Sequence, residues 1–340
     1  MMQRFLAAAF AIGAGMAVCG SASADTHYTF ALVPKSVNDI WFEQAHLGCQ
    51  KAEQELKGEI TCQYVGSNVQ GGGDEQAQIL QDLITKHVDA IAVSPGNAEA
   101  AANALQGAAG AGIPVLTWNS DLLPKDKALR LAYIGTNNHA IGEEIAKIIM
   151  KIKPKGGTIC LQSGGDGSAA DHNERLQGIR DTLAGQPAGD PANAPGTRLT
   201  GQNGWTEVDG CPLYYNDDPN IAVQQLEDIL GKYPNLDSFA GTGGAPQFQP
   251  DAYDKVMVRY KDKIASGALA YVDTNTLPEN MDALQKGYSS GQVGQHPFEM
   301  GYKVMYYLKD IKDGKPAPTD PTYTGLDVCT PDNIATCIAK

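Results

Sequence analysis

The sequence predicts an α/β fold built as two Rossmann-like lobes, each a parallel sheet covered by helices on both faces. Two observations carry this. Short, continuously apolar segments alternate with segments of amphipathic helical spacing, which is the pattern of strands buried on both sides. The alternation runs from residue 29 to 118 and restarts after residue 140, and a chain of 340 residues has the length of about two domains.

In the first half, residues 29–33 form a short apolar strand, and 39–56 form a helix with Trp41, Ala45, Cys49, Ala52 and Leu56 on one side. Strands follow at 60–65, 90–93 and 114–118, the middle one ended by Ser94-Pro95-Gly96. Between them lie a helix at 74–87, with Ile79, Leu80, Leu83 and Ile84 apolar, and an alanine-rich helix at 98–109. The second half gives helix 139–151, strand 158–161, helix 171–184, a strand near Leu213, helix 219–231, strand 238–240, helix 250–260 and strand 268–272. Residues 185–210 are rich in Gly, Pro, Asn and Asp and read as a surface insertion. Trp205 within it either pins that loop to the surface or caps a cleft, and pinning is the preferred reading.

With 42% hydrophobic and 19% charged residues the chain has a globular composition. Twenty-six basic against 39 acidic side chains give a formal charge of -13, opposite to the footprint that phosphate backbones attract, so no nucleic-acid partner is expected. Residues 1–24 read as a secretory signal peptide: Arg4, an apolar run from Phe5 to Val18, and the small-residue ending Ala22-Ser23-Ala24. Cleavage is expected near Ala24, which places the mature protein in the periplasm. A lipoprotein anchored at Cys19 is the competing reading, against which Val18 stands where a small residue is wanted. The mature chain then keeps Cys49, Cys62, Cys160, Cys211, Cys329 and Cys337. An even number in an oxidising compartment favours disulfides, and the sequence separations suggest 49 with 62, 160 with 211, and 329 with 337. Buried free thiols are the alternative.

Signatures of catalysis come up short. The sequence has no G-x-x-x-x-G-K-[ST] or H-E-x-x-H motif. The glycine runs 71–73 and 164–165 do not fit the dinucleotide-binding spacing and read as turns. The histidines at 27, 46, 87, 139, 172 and 296 are scattered, with no pair spaced to share a metal on one helical face. No enzyme activity, cofactor or metal is expected.

Polar and aromatic residues instead gather after the strands, where open α/β sheets collect ligands beyond their carboxyl ends. After the first strand come Lys35, Ser36, Asn38, Asp39, Trp41 and Phe42; after the third, Ser94; after the fourth, Asn119, Ser120 and Asp121. The second half supplies Asp171, His172, Arg175, Asp217, Thr274, Asn275 and Gln295. Amides, carboxylates and a guanidinium beside flat rings suit a small polyhydroxylated molecule. For Asn38, Asp39 and Asp171 the alternative is a helix cap, and for Trp41 a place in the core.

Three segments carry a family resemblance: 30–36 followed by Trp41-Phe42, then 88–95, then 112–121. With Glu174-Arg175-Leu176-Gln177-Gly178, Leu277-Pro278-Glu279-Asn280 and Gly294-Gln295-His296-Pro297, they resemble the ribose-binding group of type I periplasmic binding proteins, in order along nearly the whole mature chain. The resemblance implies first-loop contacts at Lys35, Asp39, Trp41 and Phe42, the two aromatics sandwiching a sugar ring. It further implies contacts at Ser94 and Asn119, a guanidinium grip by Arg175, and a hinge-adjacent amide at Gln295. Asp121, Asp171 and Asn275 complete the expected ligand set.

Asn119 and Asn275 stand where aldose-binding members often carry Asp, and Gly243 where they carry Asn. A pentose or hexose is the first choice of ligand, and a polyol or sugar acid an alternative. Lys35 with Trp118-Asn119-Ser120-Asp121 is also similar to receptors for the autoinducer-2 signal.

The resemblance implies two lobes, 25–136 plus 296–325 and 137–295 plus 326–340, joined by a three-strand hinge. It also implies a monomeric receptor whose closed form is read by the permease of an ABC importer in the inner membrane. A chemotaxis or sensor-kinase input on the same fold is the other reading.

Overall fold

The computed structural model describes residues 27–69, 71–187 and 196–338. The expected signal peptide and its cleavage site near Ala24 lie outside the described residues, as do the lobe ends at 25–26 and 339–340. Among the described residues no helix is long and apolar enough to cross a membrane.

The elements run β1 (Tyr28–Val33), α1 (Ile40–Glu55), β2 (Ile60–Tyr64), α2 (Gly73–Thr85), β3 (Ala90–Val93), α3 (Ala98–Leu105), β4 (Val115–Trp118) and β5 (Ala132–Gly135). Next come α4 (Asn138–Ile152), β6 (Gly157–Ser163), α5 (Ala170–Ala184), β7 (Trp205–Glu207), β8 (Leu213–Tyr214), α6 (Pro219–Lys232) and β9 (Ser238–Gly241). The chain closes with α7 (Pro250–Met257), α8 (Lys261–Ala265), β10 (Ala270–Thr274), α9 (Pro278–Gln285), β11 (Gly291–Gly294), α10 (Pro297–Lys312), β12 (Thr322–Tyr323) and β13 (Asp327–Cys329).

Two sheets form, ordered β12-β5-β4-β3-β1-β2 and β13-β11-β10-β9-β6-β7, with β8 also on β6. All pairings are parallel except β11 with β13. The chain passes between the lobes between β5 and α4, between β11 and α10, and between β12 and β13.

Alternate residues of each strand feed opposite cores, as the two-residue repeat requires. Phe30 and Leu32 of β1 join α1 and α10 on one face; Ala31 and Val33 join α2 and α3 on the other. In the second sheet Ile159 and Leu161 pack under α4 and α5, while Cys160, Phe239 and Tyr271 pack against α6 and α7.

Periodicity located the elements from β1 to β4 within a few residues and left β5 unread. It placed the last strand two residues early, ran helix 98–109 past its end at Leu105, and left the elements after β10 unread. The insertion reading of 185–210 is corrected at its end: Trp205 is 1% exposed and β7 pairs with β6, so this indole belongs to the second core and not to a surface loop or cleft. A three-residue strand is too short to show a period.

The six cysteines among the described residues pair as Cys49–Cys62, Cys160–Cys211 and Cys329–Cys337. The 51-residue separation of the second closes the longest loop, worth about 4 kcal/mol of chain entropy against roughly 2.5 kcal/mol for the last.

Each lobe is clasped by a helix pair that meets through two glycines. In the second, a methyl at Gly142 of α4 would overlap the Arg175 carbonyl, and one at Gly178 of α5 would overlap the His139 carbonyl. In the first, Gly48 of α1 faces the Phe298 carbonyl and Gly301 of α10 faces the Ala45 carbonyl. Both neighbours are backbone, so neither can give way. Gly178→Ala gains up to about 1 kcal/mol of helix propensity, yet the overpacking is expected to lower stability by roughly 2 kcal/mol or more. The denaturation midpoint tests this; an unchanged or raised value would show that α4 and α5 can separate freely.

Candidate functional site

The strand ends of both sheets face one another across a closed cleft. Its small cavity, about 40 Å³, is lined by Lys35, Asp39, Trp41, Phe42, Asn119, Asp171, His172, Arg175, Tyr215, Asp217, Gly243, Ala245, Phe248, Asn275 and Gln295. That holds only a few water molecules, so a sugar-sized ligand requires the lobes or the lining side chains to move.

The first lobe supplies an aromatic wall. Asp39 caps α1, its Oδ1 accepting from the Trp41 amide at 2.7 Å, which fixes where Trp41 and Phe42 leave the helix. The Trp41 and Trp118 rings stack 6.5 Å apart, and Phe42 meets both edge-on. Asp39 is thus cap and cavity wall together. Burial pushes its pKa up to about 6, only partly offset by the Trp41 amide, and Asp217 adds to the rise.

The second lobe supplies an amide–guanidinium network. Arg175, held by the α4–α5 glycine contact, donates from Nε to Asn138 Oδ1 at 2.9 Å, from one terminal nitrogen to the Thr242 carbonyl at 2.8 Å, and from the other to Gln295 Oε1 at 3.2 Å. Gln295 Nε2 donates to Asn275 Oδ1 at 3.1 Å, and Asn275 Nδ2 to the Gly243 carbonyl at 2.7 Å. Asn119 and Asn275 adopt φ of +60° and +79°, a left-handed conformation that Asn tolerates better than most residues.

Across the cleft, Lys35 Nζ donates to both carboxylate oxygens of Asp171 at 2.9 Å, and Ser120 Oγ donates to Oδ1 at 3.1 Å. Asp171 is 2% exposed, so it is no cap but a buried charge. Burial pushes its pKa up; Lys35, His172 and Arg175 more than reverse that and hold it below the usual carboxylate range. Asp217 is half-buried; burial pushes its pKa up, but Lys35 and His172, whose Nε2 lies 3.4 Å from it, more than reverse that and hold it low.

Nine of the eleven expected ligand residues line this cavity: Lys35, Asp39, Trp41, Phe42, Asn119, Asp171, Arg175, Asn275 and Gln295. Two do not. Ser94 sits behind the wall, its Oγ accepting from Asn119 Nδ2 at 3.0 Å. Asp121 is turned away: its carboxylate accepts from Arg130 at 2.9 and 2.6 Å and from the Thr117 hydroxyl at 2.6 Å. It faces a separate cavity of about 450 Å³ beside the lobe crossings. A buried guanidinium next to it outcompetes any cleft for that charge.

Tyr215, Ala245 and Phe248 escaped the sequence reading. Tyr215 follows a two-residue strand and Phe248 ends a short 3-10 turn, Ala245–Phe248, so neither stands in a periodic pattern. His172 and Asp217 were visible only as polar residues near strand ends.

One buried carboxylate outside the lining shapes it. Asp273 Oδ1 accepts from the Gly244 and Thr274 amides at 2.8 Å each, and Oδ2 from the Tyr271 hydroxyl at 2.8 Å. It thereby pins the turn that carries Gly243 and Ala245. Burial, against these three donors and no cation, pushes its pKa up to about 6. A folded-state value raised above the unfolded one opposes folding at neutral pH, and that cost disappears as pH falls through 6 toward 4. Relative to Asp273→Asn, the parent is therefore expected to gain on the order of 2 to 3 kcal/mol between pH 7 and pH 4. Denaturant melts of both proteins across that range check it, and a pH-independent difference would contradict the assignment.

The comparisons with known proteins agree with this architecture. The D-xylose-binding periplasmic protein of Haemophilus influenzae is 33% identical over 106 residues, 31% of this chain and 30% of that protein. The xylose/arabinose-binding protein XylF of Sulfolobus acidocaldarius is 24% identical over 290 residues, 80% of this chain and 66% of that protein. The matched stretches thus span less than two thirds of either relative's length. An ABC transporter solute-binding protein from Burkholderia graminis C4D1M, solved in complex with D-arabinose, superposes with a TM-score of 0.74 at 27% identity, covering 93% of this chain and 99% of that one. The profile of the periplasmic binding protein domain matches residues 30–316. With most of its length matched and two lobes of mostly parallel strands, the chain belongs to the periplasmic binding protein domain family and has the type I fold.

Proposed function

We propose that this chain is the solute receptor of a bacterial sugar ABC importer, acting in the periplasm after loss of its leader and binding a pentose or hexose between its lobes. The observation that carries the reading is the pairing, in one cleft, of the Trp41–Phe42 wall with the Arg175–Gln295–Asn275 network from the opposite lobe. Ring C–H faces pack on the aromatics, and hydroxyls meet groups that both donate and accept. The names of the relatives support the choice of sugar, two of them by xylose and one structure by its bound D-arabinose. Binding involves no covalent step: ligand shifts the lobes toward the closed population, and the permease reads that form.

A thermal-shift panel of pentoses, hexoses, polyols, sugar acids and autoinducer-2 on ligand-stripped protein tests this. Ligand at 100 times its dissociation constant adds about 2.7 kcal/mol to the folded state. A pentose or hexose is expected to raise the melting temperature, and Trp41→Ala and Arg175→Ala to abolish the rise while the unliganded proteins stay folded. Arg175→Lys is expected to fail as well, because a point charge cannot replace the guanidinium fork. Silence toward all sugars, or variants that bind as the parent does, would reject the reading.

A further inference from the structure

We propose that Asp171 sets charge selectivity in the cleft, admitting neutral polyhydroxylated solutes and refusing those that carry a carboxylate; the proposal rests on the sugar-receptor reading above. Three carboxylates, Asp39, Asp171 and Asp217, line the cavity against two permanent cations, Lys35 and Arg175. Both cations are already committed. Lys35 Nζ lies 2.9 Å from Asp171 and 3.9 Å from Asp217. Arg175 lies 3.6 Å from Asp171 and spends its other donors on Asn138, Thr242 and Gln295.

An arriving carboxylate would add a fourth anion to a small cavity whose permanent cations, Lys35 and Arg175, are both taken and whose His172 imidazole already faces Asp171 and Asp217. It would also compete for Lys35 with a carboxylate that, 2% exposed, cannot retreat into solvent. A sugar hydroxyl brings no such conflict, since it can donate to Asp171 or Asp217 while accepting from Lys35 or Arg175. Asp171→Asn keeps the shape and an acceptor for Lys35 and Ser120 but removes one charge. A bound acid would then restore three anions against two cations, the count the unliganded parent already holds.

Titration calorimetry at neutral pH and low salt, with D-xylose, D-arabinose, D-glucose and D-galactose beside D-xylonate, D-glucuronate and D-galacturonate, decides it. The parent is expected to bind its best neutral sugar at least about 100-fold tighter than any of the acids. Asp171→Asn is expected to narrow that ratio by about tenfold or more through a gain in acid binding, and Lys35→Gln added to it to erase the gain. Should Asp171→Asn not fold, Asp217→Asn, whose side chain is 20% exposed, is expected to narrow the ratio in the same direction.

A parent that binds an acid as tightly as a neutral sugar overturns the proposal and leaves the receptor reading standing. So does a folded Asp171→Asn that binds the sugar with the parent's ratio. A parent silent toward every sugar and acid overturns the receptor reading and this proposal with it.

Discussion

Asp171 is a carboxylate that the fold removes from water and then compensates mainly from the other lobe. Its nearest cation is Lys35, on the connection between β1 and α1, while its own lobe contributes Arg175 at 3.6 Å and His172 at 3.8 Å. Closing the cleft therefore trades two hydrated charges for one buried pair, an exchange in which desolvation and attraction nearly cancel. A receptor needs that near balance. For the proposed importer receptor, closure strongly favoured without ligand would leave a permease no difference between loaded and empty protein, and closure strongly disfavoured would consume ligand affinity in driving it. The ion pair leaves the decision to the contacts that a solute adds.

Such a small balance is useful only if each lobe moves as a rigid piece, and the helix pairs provide that rigidity. The α4–α5 contact and the α1–α10 contact repeat one device, reciprocal glycines that bring helix backbones together where any side chain would hold them apart. Their placement matters for the site. Gly178 lies three residues after Arg175 on α5, so the contact that locks the helix also locks the guanidinium. Similarly, Gly48 lies within the helix whose first turn carries Trp41 and Phe42. The first pair is built across a long sequence distance, because α10 returns to the first lobe only after β6 to β11 of the second sheet have been laid down.

How much of this was legible in the sequence follows from which forces act locally. Strands such as residues 90–93 and 158–161 are apolar on both faces because helices cover both, and that continuity is readable directly. Lys35, Trp41, Asn119 and Arg175 could be found because ligand positions in such sheets follow the strands. Asp121 obeys the same rule of position, yet its orientation depends on Arg130, nine residues away and folded back onto it. Trp205 looked like part of a polar insertion because its strand is three residues long, and its burial comes from pairing with β6. Tyr215 and Phe248 reach the cleft from segments with no period at all. Local chemistry nominates residues; which way a side chain turns is settled by partners distant in sequence.

The two lobes contribute to the cleft at different stages of binding. The bonds of Arg175 run to Asn138, Thr242 and Gln295, and Gln295 continues to Asn275 and Gly243, all from the second lobe or its border with the crossings. None of these bonds needs the first lobe to be in place. The polar network is thus complete without the first lobe, and in the proposed receptor a solute docking there would meet donors already aimed, with little ordering entropy left to lose. The Trp41–Phe42–Trp118 wall is equally complete within its own lobe. The contacts that span the two lobes are the polar bridge from Lys35 and Ser120 to Asp171, the approach of Lys35 to Asp217, the Asn138 amide donating to the Asn119 carbonyl and the Ala98 amide donating to the Ser168 carbonyl at 3.1 Å. In the proposed receptor, affinity would reside in surfaces complete within each lobe, and the signal to a permease in the contacts that span the two.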